Sequence, residues 1–140
     1  MPYKLLLLAD EEMQAIEQYI LQSDIYVVDM DGEVIGVCVL YPLNKHTVEI
    51  KAIAVDERFQ NQGIGKGMLK DAELQARMSG CQELVIGTPA TAKKQLSIYQ
   101  KAGFVEFDIR KDFFIQNYAQ PIFEDGVQLR DMAVLKKILR

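Results

Sequence analysis

The run Gln60-Asn-Gln-Gly63-Ile-Gly65-Lys66-Gly67 stands where a β-compatible stretch ending at Val55 gives way to a helical pattern. Glycines at such a junction leave several backbone N–H groups pointing at one spot, at the positive end of a helix dipole. The chemistry this suits is holding an anion, most often a phosphate. Glycine is required where a phosphate comes close, because a Cβ would hold it away. A P-loop would follow its lysine with Ser or Thr, and here Lys66 is followed by Gly67. A dinucleotide fingerprint would begin directly after the strand and space its third glycine differently. Neither pattern fits.

Other residues with chemical capacity are few. His46 is the only histidine and sits beside Lys45 at a turn, so it reads as a surface residue. Cys38 and Cys81 have no base pattern near them and read as buried apolar residues. Glu49 lies within a strand pattern, as a proton acceptor or as a solvent-facing carboxylate. Tyr99 follows Leu96 at helical spacing, which a half-buried aromatic would also give. Asp108, Arg110, Lys111 and Asp112 read as a solvated strand edge. The segment 112–126 holds four aromatics and three acids; it either covers the core or shapes a pocket or a contact. If Glu124 and Asp125 line that pocket, a cationic amine is the expected ligand.

The elements that must position these residues follow from periodicity. Tyr3–Leu8 reads as a first strand. Met13, Ile16, Ile20 and Leu21 recur at helical spacing, with Asp10 as N-cap, and predict a helix over 11–22. Asp31-Gly32 between two β-rich runs predicts a hairpin of 25–30 with 34–40, and 47–55 extends it to a meander. A helix over 63–79 stops at Gly80, a strand covers 83–87, and a helix from 92 to 101 stops at Gly103. Strands are expected over 104–115 and 127–135. The order implies an α+β (mixed α/β) fold, parallel where helix 63–79 joins its flanking strands.

The chain of 140 residues fits one domain, residues 1–140, with room for an apolar core. A net charge of −4 argues against nucleic-acid binding by bulk electrostatics. The apolar run Leu5–Ala9 is too short to span a bilayer and no signal peptide is visible, so no membrane role and a cytoplasmic location are expected. No paired metal-ligand motif occurs, and no metal is expected.

Gln60-Asn-Gln-Gly63-Ile-Gly65, preceded by Ile53-Ala-Val55-Asp, resembles the coenzyme A pyrophosphate loop of the GNAT superfamily, the acyl-CoA-dependent N-acetyltransferases. Downstream, Leu96-Ser-Ile-Tyr99-Gln-Lys101-Ala-Gly103-Phe104 is similar to the family's Leu-Tyr-x-Lys-x-Gly-Phe segment. The resemblance covers nearly the whole chain. It implies a central mixed sheet of about seven strands, mostly antiparallel with a splayed, parallel fourth and fifth pair, flanked by about three helices. It also implies acetyl-CoA as co-substrate and an amine as acceptor.

By the same resemblance, Asn61, Gln62, Gly63, Ile64, Gly65 and Lys66 would hold the pyrophosphate, and the backbone of Ile53, Ala54 and Val55 would pair with the pantetheine arm. An N–H freed by a bulge near Ala54 or Val55 would stabilise the oxyanion. Tyr99 would protonate the leaving thiolate, and Glu49 is the in-sheet candidate for general base. Two departures stand out. Some members carry a Glu where this chain has Gly87, and an Asn where it has Ala92; Thr88 or Gln95 would have to take over the Asn's contact. A CoA-binding protein without turnover is therefore the alternative. The apolar stretch Met132–Leu139 could pair across a homodimer.

Overall fold

The computed structural model describes residues 2–9, 16, 17 and 19–139. They fall into two compact units: 1–84 with 138–140, and 85–137.

The first unit is built on an antiparallel meander of β1 (Asp24–Met30), β2 (Glu33–Pro42) and β3 (Thr47–Val55). Asp31 and Gly32 turn β1 into β2 with φ of 52° and 84°, the left-handed pair that a two-residue type I′ turn requires. Alternation then sorts the sheet's two faces. Val37, Val39, Ala52 and Ala54 pack with Leu5, Leu6, Ile16, Tyr19 and Ile20. On the other face Gly36 lies against Met68, where a Cβ would stand 3.0 Å from the sulfur. Met68 belongs to helix α2 (Ile64–Met78), which buries Met68, Leu69, Ala72 and Ala76.

The expected first strand is a helix instead, α1 (Tyr3–Ala9). A short run of leucines is compatible with either form, and leucine favours helix once a sheet is available to pack against. Here Leu5 and Leu6 are buried and α1 packs on β2 and β3. Of the helix expected over 11–22, Ile16 and Glu17 are helical and Ile20–Gln22 form a 3-10 turn. Asp10, Met13 and their neighbours lie outside the described residues.

Helix α2 ends in a Schellman motif: Cys81 N–H donates to the Ala76 carbonyl and Gly80 N–H to that of Arg77. The chain then enters β4 (Glu83–Pro89), with Gln82 and Glu83 N–H both donating to the His46 carbonyl. His46 is exposed, as expected, and its role here is that of its backbone.

The second unit continues β4 and adds α3 (Lys93–Lys101), β5 (Val105–Arg110), α4 (Phe113–Gln116), a hairpin of β6 (Phe123–Glu124) with β7 (Val127–Gln128), and β8 (Met132–Ile138). Its strands run in the order β4-β8-β5. The strand expected over 104–115 thus stops at Arg110, and Asp112, in the left-handed region at φ 54°, turns the chain into α4. The strand expected over 127–135 is two strands, β7 and β8, separated at 129–131, where Leu129 N–H donates to the Ile122 carbonyl; Asp125-Gly126 closes the β6–β7 hairpin with a second left-handed turn, with φ of 52° and 78°. Since β8 lies between β4 and β5, it has no free edge for pairing across a dimer. Three of the four aromatics of 112–126 join a small core: Phe114, Ile122 and Leu129 are buried, with Phe113, Tyr118 and Met132 packed around them, while Phe123 is exposed.

Candidate active site

The junction from β3 to α2 is held open by its own backbone. Asp56 caps a 3-10 turn (Glu57–Phe59) by accepting from the Arg58 N–H at 2.9 Å, and its N–H donates to the Ile35 carbonyl at 2.7 Å. Arg58 also bonds Asp56 through its guanidinium and reaches Glu33 at the start of β2. These bonds to Arg58 hold the Asp56 carboxyl below its usual range. Gln60 then folds back, its side-chain amide donating to the Val55 carbonyl at 2.9 Å. The motif's glutamine therefore ties the loop to the end of β3.

Asn61 and Gly63 both take positive φ, 62° and 85°. Gly63 is the N-cap of α2, and no side chain caps the helix. The N–H groups of the first turn have no intrahelical acceptor and face outward. A Cβ on Gly63 or Gly67 would meet nothing within 4 Å, and one on Gly65 only the Val55 side chain at 3.8 Å. The three glycines thus border open space, and the open backbone cradle fits a pyrophosphate. Ile53, Ala54, Val55, Gln62, Gly63, Ile64, Gly65 and Lys66 lie together in this one unit.

The bulge in β3 is not where the oxyanion argument expected it. Ile53, Ala54 and Val55 face Cys38, Val37 and Gly36 in unbroken register. The slip falls earlier: Val39 faces Ala52 and Leu40 faces Ile50, leaving Lys51 as the extra residue. Glu49, directly opposite Tyr41, is buried, with its side chain 6% exposed. One carboxylate oxygen, Oε2, lies 3.5 Å from Lys51 Nζ, while Oε1 has no hydrogen-bond partner among the described residues. The reading of Glu49 as a solvent-facing carboxylate is thereby overturned. Lys51 was not picked out from the sequence, although its spacing of two from Glu49 on a strand was a signal for a shared face.

Tyr99 belongs to the second unit, half-buried in the last turns of α3. That helix also ends in a Schellman motif, with Phe104 N–H donating to the Tyr99 carbonyl and Gly103 N–H to that of Gln100, both at 3.0 Å. Gly103 takes φ 102°, and the Phe104 ring packs against Tyr99 at 6.2 Å between centroids. The Tyr-x-Lys-x-Gly-Phe spacing is therefore a helix stop that clamps the tyrosine. A carboxylate at position 87 would require the Met132 side chain to move, because a Cβ there would lie 2.5 Å from Met132 Sδ. Thr88 is buried, whereas Gln95 is exposed and Ala92 offers no side-chain cap to α3. Burial pushes the Cys38 thiol up to about 12, which leaves it without a nucleophilic thiolate. Among the described residues no His, Cys, Asp and Glu group is placed to hold a metal, and no helix is long and apolar enough to cross a membrane.

Residues 22–106 match the acetyltransferase (GNAT) domain family. The chain is 41% identical over 133 residues to the uncharacterised N-acetyltransferase YvbK of Bacillus subtilis, covering 95% of this chain and 86% of that one. A crystal structure of a GNAT family acetyltransferase from Elizabethkingia anophelis with acetyl-CoA bound superposes with a TM-score of 0.96 at 48% identity, over 99% of this chain and 91% of that one. A Bacillus subtilis acetyltransferase in complex with CoA gives 0.91 at 40% identity, over 99% and 91%.

Proposed function

Because the chain belongs to the GNAT acetyltransferase family, we propose that it transfers an acetyl group from acetyl-CoA to a primary amine of a small molecule or peptide, by direct attack. The observation that carries this reading is the loop 60–67, whose glycines border open space at an uncapped helix start. Backbone N–H groups of Gln62–Lys66 hold the pyrophosphate, and the end of β3 aligns the acyl arm.

In the reaction the amine's lone pair forms an N–C bond to the thioester carbonyl carbon, and the C–S bond breaks. Tyr99 gives its phenolic proton to the departing thiolate and is reprotonated from solvent. Glu49 takes the proton that the amine releases, directly or through water. Its Oε1, which has no hydrogen-bond partner among the described residues, supports that role. A second reading, a CoA-binding protein without turnover, draws on Gly87 of β4, where Met132 fills the space a carboxylate side chain would need.

Tyr99→Phe separates the two readings, since the ring contact with Phe104 survives the change. Under the catalytic reading kcat falls by about 100-fold or more, while the thermal shift caused by acetyl-CoA is unaltered. Equal, negligible rates for both proteins across an amine panel, with CoA binding intact, would favour the second reading.

A further inference from the structure

The face of β3 that carries Glu49 also carries a cation held in a fixed place. Lys51 Nζ stands 5.6 Å from the Tyr41 ring centroid and 5.8 Å from that of Tyr19, within cation–π range of both. The Tyr41 hydroxyl is itself held, donating to Gln22 Oε1 at 3.1 Å. Lys51 bonds one oxygen of Glu49, and its side chain remains 25% exposed. The other oxygen of Glu49 is buried and unpartnered among the described residues. A buried carboxylate oxygen left without a donor is costly, and a ligand that brings an N–H to it would remove that cost.

We propose that Glu49 and Lys51 form the acceptor subsite, and that it selects amines bearing a carboxylate near the amino group, in the manner of an amino acid. This rests on the acetyl-transfer reading above. Glu49 Oε1 accepts an N–H from the acceptor, while Lys51 donates to its carboxylate. A neutral amine adds no charge to the Glu49–Lys51 pair, and an acceptor carboxylate adds one that Lys51 can meet. A second ammonium, as in a diamine, would instead approach Lys51 and be repelled. Lys51, the extra residue of the bulge, stands two positions before Ile53, where the acyl arm is proposed to align. The cationic acceptor suggested by Glu124 and Asp125 is thus not the one this face favours.

The test compares α-amino acids with their amides of identical side chain and with a diamine. Two readouts are used: kcat/KM for acetylation, and binding of the N-acetylated acids and amides in the presence of CoA, which needs no turnover. Wild type and Lys51→Arg should prefer the acids by about 10- to 100-fold, the value of one charge-assisted contact. In Lys51→Met the preference should fall to within about threefold. Removing Lys51 alone leaves Glu49 uncompensated, so Glu49→Gln/Lys51→Met serves as a second variant that carries no stranded charge; its binding preference should be lost likewise. Acids bound selectively without acetylation would uphold the subsite and defeat the acetyl-transfer reading. Amides or diamines acetylated as well as acids would uphold transfer and overturn the subsite. An unchanged acid preference in Lys51→Met, or no binding of any acid, would overturn it also.

Discussion

At Gly63, Gly65 and Gly67 a missing side chain opens onto space, whereas at Gly87 and Gly103 it is the space that another side chain has taken. A Cβ at position 63 or 67 would meet nothing within 4 Å, but one at 87 would lie 2.5 Å from Met132 Sδ, and one at 103 lies 3.0 Å from Lys137 Cε. The first group leaves room for a ligand to reach backbone N–H groups; the second serves packing and a helix stop. The same residue type therefore predicts opposite responses to substitution.

The largest expected effect is on the open side. Gly65→Asp puts a carboxylate into the cradle at the first turn of α2. An acid there complements the helix dipole and removes a helical glycine, so stability without ligand should hold or rise by about 0.5–1 kcal/mol. Acetyl-CoA binding should fall by about 100-fold or more, because the carboxylate both fills the anion's place and repels it. A normal acetyl-CoA thermal shift in this variant would show that the cradle is not the donor site.

On the filled side, Gly87→Ala should destabilise the protein by about 1–3 kcal/mol through overpacking against Met132. Adding Met132→Ala should return part of that loss, although Met132 has its own contacts in the Phe114–Ile122–Leu129 core. The two changes should be non-additive when unfolding is followed by denaturant. Smaller still, Gly67→Ala adds a methyl group to open space in a helix, and should stabilise the ligand-free protein by about 0.5–1 kcal/mol.

This contrast explains what the sequence disclosed and what it withheld. The open turn at 60–67 was legible because glycines stand at its strand-to-helix junction, and the stop of α3 because a Schellman motif needs Gly103 and an apolar residue after it. The meander was legible from Asp31-Gly32; the same dipeptide at Asp125-Gly126 marked the second hairpin and went unread. The leucines of α1 carried no such mark, since a short apolar run suits helix and strand alike. The bulge at Lys51 and the sulfur against Gly87 were illegible for a further reason. Both depend on which residues tertiary packing brings opposite one another.

The smallest predicted effect concerns what frames the cradle. Asp56 holds the 3-10 turn through Arg58, and those bonds depress its carboxyl below the ordinary range. A depressed carboxyl contributes stability that is present above its unfolded value, near 3.9, and is lost as pH falls through the folded one. Asp56→Ala should therefore lower the melting temperature slightly at pH 7. The gap between variant and wild type should close as pH drops below about 4. Because the group is still partly open to solvent, with its side chain 25% exposed, the gap should also narrow in high salt. A gap that stays constant from neutral to acid pH would mean that the turn is held by its backbone bonds, with Ile35 and Gln60 as the anchors and the Asp56 charge contributing nothing.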